Sequence, residues 1–340
     1  MRRTSLAALL ALAAGCAAAH GKIDPPETVA RPATFANSGG ATSRDMARIA
    51  LGAPSRDAAA WWDCLRLAGG VVSAHRGGPG EGRPENSLAA FKATTNQMPA
   101  VLETDVSISR DGVLFLHHDR TLERTTTGAG SVAATTWAAI ARLRLKDAAG
   151  RATDERPTAL ATALAWARGR AVLFLDPKPP PGGPDPAQDY RDFAGALVGA
   201  VRAAGAERSV VVIAYTQEQA LTLHALAPDL MLSVGVSRVE DLDQLAARGL
   251  DLARVIAWTG AGRPDPELWA ALSARGVEVN FGTLGEPGTR LDDVYGADGD
   301  RSEYASLITK GVDVIASGAP IAAGAAISAD ETAAQQCRGR

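Results

Sequence analysis

The sequence predicts an α/β chain folded as a (β/α)8 barrel, with an antiparallel hairpin after its second strand. Three observations lead there. From about Asp57 onward, eight short apolar runs rich in β-formers alternate with alanine-rich segments of helical periodicity. They fill about 250 residues, the usual size of such a barrel. No GxGxxG phosphate turn follows the first run, as a doubly wound dinucleotide-binding sheet would show.

In chain order, residues 1–19 (MRRTSLAALLALAAGCAAA) read as a secretory signal: two arginines, an apolar run too short to span a bilayer comfortably, then small residues. LAAGC looks like the lipobox of bacterial lipoproteins, which makes Cys16 a candidate for lipidation. Ala17 to Ala19 would equally serve an ordinary signal peptidase, so both processing routes stay open. Residues 20–60, rich in small, polar and proline residues, read as a tether or N-terminal wrap, and residues 61–340 as one barrel domain. The expected location is exported, periplasmic or anchored by lipid to a membrane the body does not cross.

The eight runs are residues 71–77, 101–108, 171–178, 209–215, 230–236, 255–260, 277–283 and 312–318, with helical patterns such as EQALTLHALA and PDPELWAALSARG between them. A ninth run, residues 113–119, follows the Asp111-Gly112 turn signal and is expected to fold back against the second strand. Two cysteines remain beyond Cys16. Cys64 precedes the first strand and Cys337 lies near the C-terminus; a barrel brings those ends together and export permits oxidation, so a Cys64 to Cys337 disulfide is predicted.

A formal net charge of −3, from 35 basic against 38 acidic residues, argues against a nucleic-acid surface. An anionic ligand would then need a local site. Catalytic groups of a (β/α)8 barrel lie at the C-terminal ends of its strands, and there the sequence places His75, Arg76, Glu103, Asp105, His117, His118, Asp119, Asp176 and Lys178. Glu103 and Asp105 are two apart, hence on one face of a strand. Bare buried carboxylates are costly, so either a hard cation bound with Asp176, Ca²⁺ or Mg²⁺, or ion pairs to Arg76, Lys178 or Arg124 must balance them. Two strand-end histidines suit a general acid and base, because imidazole titrates near neutrality.

These motifs resemble the glycerophosphodiester phosphodiesterases over roughly residues 70–325. The chain has His75-Arg76-Gly77, then Pro84-Glu85-Asn86-Ser87, Glu103-Thr104-Asp105-Val106, Asp111-Gly112, and HDRTLERTTTGAG from His118 to Gly130. The resemblance implies a phosphoric diester hydrolase on a (β/α)8 TIM barrel, with His75 and His118 as the acid and base pair. By position it makes Arg76 the phosphate binder, with Lys178 adding to it, and Glu103 and Asp105 metal ligands for one divalent cation. Glu85 and Asn86 would orient the site from behind. His117 would turn away if His118 faces inward. Three departures stand out: Asp176 where the family has glutamate, Asn280 or Phe281 where it has tryptophan, and Gly318 where it has aspartate.

The expected reaction splits a small glycerophosphodiester into an alcohol and glycerol phosphate, with no nucleic-acid partner. One alternative is a sphingomyelinase D-like phosphodiesterase acting on lysophospholipids or sphingolipids; another is a tethered, non-catalytic binding lipoprotein.

Overall fold

In the computed structural model, eight parallel strands close on themselves. They are β1 (Val71–Ala74), β2 (Ala100–Ile108), β4 (Leu173–Pro177), β5 (Val210–Ala214), β6 (Met231–Gly235), β7 (Val255–Ala261), β8 (Glu278–Gly282) and β9 (Val314–Ser317). Each is bonded to its neighbour, and β1 pairs with both β2 and β9, which completes the ring. β3 (Leu114–Leu116) lies outside it, antiparallel to Val106–Ile108 of β2. The expected TIM barrel and hairpin are therefore both present. The structure describes residues 54, 57–180, 182, 185–327 and 337; the signal segment, Cys16 and nearly all of the tether lie outside them.

Strand alternation separates two cores. Val72, Leu102, Leu173, Val212, Leu232 and Ile315 face the helices. Residues one step earlier, Val71, Val101, Val172, Val211, Met231 and Val314, join a second cluster inside the ring. That inner cluster is completed by α1 (Ala58–Leu67), whose Trp61 and Trp62 are fully buried against the N-terminal strand ends. The helix thus closes the bottom of the barrel and leaves the opposite mouth for a site. A disulfide joins Cys64 of α1 to Cys337, with Cα atoms 5.7 Å apart.

The remaining helices are α2 (Leu88–Thr95), α3 (Trp137–Ile140), α4 (Leu160–Ala167), α5 (Pro186–Ala204), α6 (Gln217–Leu226), α7 (Val239–Ala247), α8 (Pro266–Ser273), α9 (Leu291–Gly296), α10 (Ser302–Thr309) and α11 (Pro320–Ala326). Their starts follow local chemistry. Asp185 and Asp265 cap α5 and α8 ahead of a proline in the first turn, and Thr216 with Gln219 forms a capping box on α6. Among the described residues no helix is long and apolar enough to cross a membrane.

Two local expectations need correction. The first strand stops at Ala74, and His75–Gly77 form a 3-10 turn, because Arg76 adopts φ 51° and cannot continue a strand. In sequence, Pro84 suits the first turn of a helix with Asn86 or Ser87 as its cap. Ser87 is the cap, its hydroxyl accepting from the amide of Ala90, but Pro84 stays outside α2 because Asn86 takes φ 55° and the helix starts only after Ser87.

Candidate active site

Register alone brings the carboxylates together. Asp105 of β2 lies opposite Asp176 of β4, and Glu103 is two residues earlier on the same face. All three are buried, and oxygens from the three lie within 4.8 Å of one another. The shorter Asp176 therefore still reaches the cluster. Burial first, then the charges of Asp105 and Asp176, pushes the Glu103 carboxyl well above the usual carboxylate range. Asp176 is also raised, by burial first, against the opposing pull of Lys178. Asp105 ends below its ordinary value, because Lys178, His118 and Arg76 together outweigh its burial.

Lys178 Nζ lies 2.7 Å from Asp176 Oδ2 and 3.2 Å from Asp105 Oδ1, so an ion pair balances part of the charge. Part is left over: Asp176 Oδ1 is buried with no hydrogen-bond partner. Three all-oxygen donors with an orphaned lone-pair atom fit a hard cation better than a closed salt-bridge set.

The turn after β1 forms the next wall. Arg76 and Asn86 are the two non-glycine residues with positive φ among the described residues. Such backbone costs about 1 kcal/mol or more each and persists only where surroundings fix it. Here the Arg76 amide donates to Glu103 Oε2 at 2.8 Å, and its carbonyl accepts the Asn86 amide at 3.0 Å. Asn86 Nδ2 donates to Asp105 Oδ2 at 2.8 Å, while its Oδ1 accepts from the Thr104 hydroxyl and the Asp105 amide. Gly77 is required beside them, because a Cβ would meet the Phe91 ring at 2.3 Å. The Arg76 guanidinium donates to Glu85 Oε1 at 2.9 Å. His75 is held neutral at neutral pH: burial, then the Arg76 charge, pushes its pKa down to about 4.

The hairpin supplies the third wall. His117 is buried, stacks on Phe115, and bonds through Nε2 to the Thr121 carbonyl at 2.9 Å. It is turned away, as alternation implies. His118 faces a cavity of about 230 Å³ shared with Asp119, Arg120, Lys178 and Tyr215. Its Nδ1 is 2.7 Å from Asp119 Oδ1. Arg124 grips both oxygens of Asp119, at 2.6 and 2.8 Å, and the same guanidinium grips Glu85 at 2.8 and 2.9 Å.

Sequence reading missed several of these partners. Tyr215, just past β5, donates its hydroxyl to Asp176 Oδ2 at 2.5 Å. Nothing in the pattern flagged it, since a tyrosine after an apolar run is unremarkable. Of the two residues offered in place of tryptophan, Phe281 packs outward on Trp269, and Asn280 is the buried inward one. An aromatic ring is nonetheless present, because Trp258 of β7 fills the space above Gly282, 2.7 Å from where a Cβ would stand. At Gly318, a side chain would run into Arg290 Nη1 at 2.9 Å, and its amide donates to Asp292 Oδ2.

Comparison with known proteins adds to this geometry. The model of the glycerophosphoryl diester phosphodiesterase family matches residues 75–259, more than half of the chain. The probable glycerophosphodiester phosphodiesterase 1 of Mycobacterium tuberculosis is 41% identical over 83 residues, 24% of this chain and 30% of that protein. Glycerophosphodiester phosphodiesterase 1 of Mus musculus is 34% identical over 112 residues, 31% of this chain and 33% of that protein. The matches thus span about a third of these curated relatives. A glycerophosphoryl diester phosphodiesterase crystal structure from Parabacteroides distasonis is similar over 82% of this chain and 93% of its own, at 29% identity and TM-score 0.66. The fold is also similar to an Oleispira antarctica phosphodiesterase in complex with the product sn-glycerol-3-phosphate, at 21% identity and TM-score 0.56, over 76% of this chain and 96% of that one.

Proposed function

The chain belongs to the glycerophosphoryl diester phosphodiesterase family, and from that premise we propose that it hydrolyses glycerophosphodiesters to an alcohol and glycerol phosphate at the mouth of its barrel. The observation that carries the reading is the meeting of His75, Arg76 and His118 around three buried carboxylates.

Arg76 and Lys178 bind the phosphodiester anion, the arginine as a planar donor matched to paired oxygens. Their charge favours the transition state, where charge accumulates on the phosphoryl oxygens. His75, neutral at working pH, takes the proton from the attacking hydroxyl as the new P–O bond forms; water gives glycerol phosphate directly, whereas attack by the substrate's own hydroxyl gives a cyclic phosphate that a water must then open. Asp119 accepts the Nδ1 proton of His118, so Nε2 is the nitrogen that hands a proton to the departing alcohol as the old P–O bond breaks. Glu103, Asp105 and Asp176 would hold one divalent cation, Ca²⁺ or Mg²⁺, which supplies Lewis-acid polarisation of a phosphoryl oxygen.

Head-group choice falls to the cavity beside His118, where Ile108, Val132, Pro177 and Pro179 form an apolar wall. That wall is the one feature favouring a second reading, cleavage of lysophospholipids or sphingolipids. The disulfide supports export, because disulfides persist in oxidising compartments, and the lipid anchor at Cys16 is part of the same proposal. An activity panel of glycerophosphodiesters, lysophospholipids and sphingomyelin, run with each cation and with chelator, tests the assignment. Turnover of the lipids alone would favour the second reading.

A further inference from the structure

The phosphate clamp and the proton donor sit on different loops, yet one side chain joins them. Arg76 donates to Glu85, Glu85 accepts two hydrogen bonds from Arg124, Arg124 donates two more to Asp119, and Asp119 meets His118 Nδ1. Arg124 spends three donor nitrogens on these two carboxylates. A planar guanidinium held by two bidentate pairs fixes both distance and tilt, which a lysine ammonium, a point charge, does not.

The direction of its influence is readable. Hydrogen bonds from Arg124 are the leading cause that holds the Asp119 carboxyl far below its ordinary range. Glu85 is also held low: its burial is outweighed by Arg124 and Arg76. Both carboxylates therefore stay ionised, one aiming an arginine and the other an imidazole. About half of the Arg124 side chain is exposed, and its hydrogen bonds run to Glu85 and Asp119 beside the site, so its contacts serve the site more than the fold.

We infer that Arg124 is a positioning residue that sets the phosphate clamp, Arg76, and the proton donor, His118, at one fixed spacing through Glu85 and Asp119. The inference rests on the reading of His118 given above. It predicts two separable effects of losing Arg124: weaker binding for every diester through the slackened clamp, and slower bond breaking only where the leaving group needs a proton.

The test compares two substrates in the cation-loaded enzyme, glycerophosphocholine and the 4-nitrophenyl ester of glycerol phosphate, whose phenolate leaves without protonation. In Arg124→Ala, KM is expected to rise severalfold on both, while kcat falls on the order of 10²-fold on the choline ester and stays within about threefold on the aryl ester. Asp119→Asn should show the same kcat split, and Arg124→Lys should recover part of it. Circular dichroism and melting temperature establish that each variant is folded. Equal kcat losses on both esters, or kcat unchanged on both, overturn the proposal. His118→Asn separates the two levels: a raised aryl-to-alkyl ratio there, beside an unmoved Arg124→Ala, overturns the relay alone, whereas an unmoved ratio in His118→Asn removes His118 as donor and the relay with it.

Discussion

Asp105 and Asp176 stand directly opposite one another on adjacent parallel strands, and Lys178 Nζ lies within 3.2 Å of both. With Glu103 added, three carboxylates share one lysine and an arginine also engaged by Glu85. Anything that binds the folded state alone raises its stability by mass action. Saturating Ca²⁺ or Mg²⁺ should therefore raise the melting temperature of the wild-type protein, by several degrees where the cation exceeds its dissociation constant about a hundredfold. Asp176→Asn should abolish most of that rise, which differential scanning calorimetry would read.

Removing either proposed proton carrier should be severe. His75→Ala and His118→Ala are each expected to lower kcat by about 10² to 10⁴-fold with little change in melting temperature. His117→Ala should behave differently: its ring is buried against Phe115 and tied to Thr121, so it should cost stability first. Steady-state kinetics beside thermal melts separates the two outcomes.

The disulfide lies at the end of the barrel remote from the site and closes a separation of 273 residues. Replacing Cys64 and Cys337 by alanine should lower stability by about 2–5 kcal/mol while leaving kcat at low temperature near wild type. Urea unfolding with and without reductant checks this.

Glu278, at the N-terminal end of β8, is pushed up to about 8, chiefly by burial and next by Asp313. Arg66 Nε at 3.4 Å is too long a contact to reverse this. A carboxyl raised on folding binds its proton more tightly in the folded state. Its contribution is therefore full below its ordinary value of 4.5 and lost as pH rises through about 8. Stability should fall over that window by an amount on the order of a few kcal/mol, and Glu278→Gln should flatten the fall. Melting temperatures from pH 4.5 to 8.5 decide it.

Much of this architecture was legible in the sequence because it rests on periodicity. The eight runs, the Asp111-Gly112 hairpin and the spacing of Glu103 and Asp105 follow from strand alternation, and each run holds a strand, the first one ending short at Ala74. Less legible was whatever depends on a single torsion or a contact between distant loops. Proline, glutamate and asparagine ahead of α2 look like a helix start, yet the positive φ of Asn86 stops the helix and turns its amide onto Asp105. Tyr215 and Trp258 reach the mouth from strands whose sequences look like ordinary barrel wall. Arg124 stood out only as a possible ion-pair partner, since nothing local shows that Glu85 and Asp119, 34 residues apart in sequence, meet across it.

The central claim is that the three carboxylates, Arg76 and the two histidines form one metal-dependent phosphodiesterase site. Its most direct test is the release of glycerol phosphate from a panel of glycerophosphodiesters by the purified protein, with Ca²⁺ or Mg²⁺, with chelator, and after the cation is restored. The account predicts release from at least one diester, lost in chelator, regained with the cation and absent in Asp105→Asn. No release from any diester at saturating cation, or turnover untouched by chelator, would contradict it.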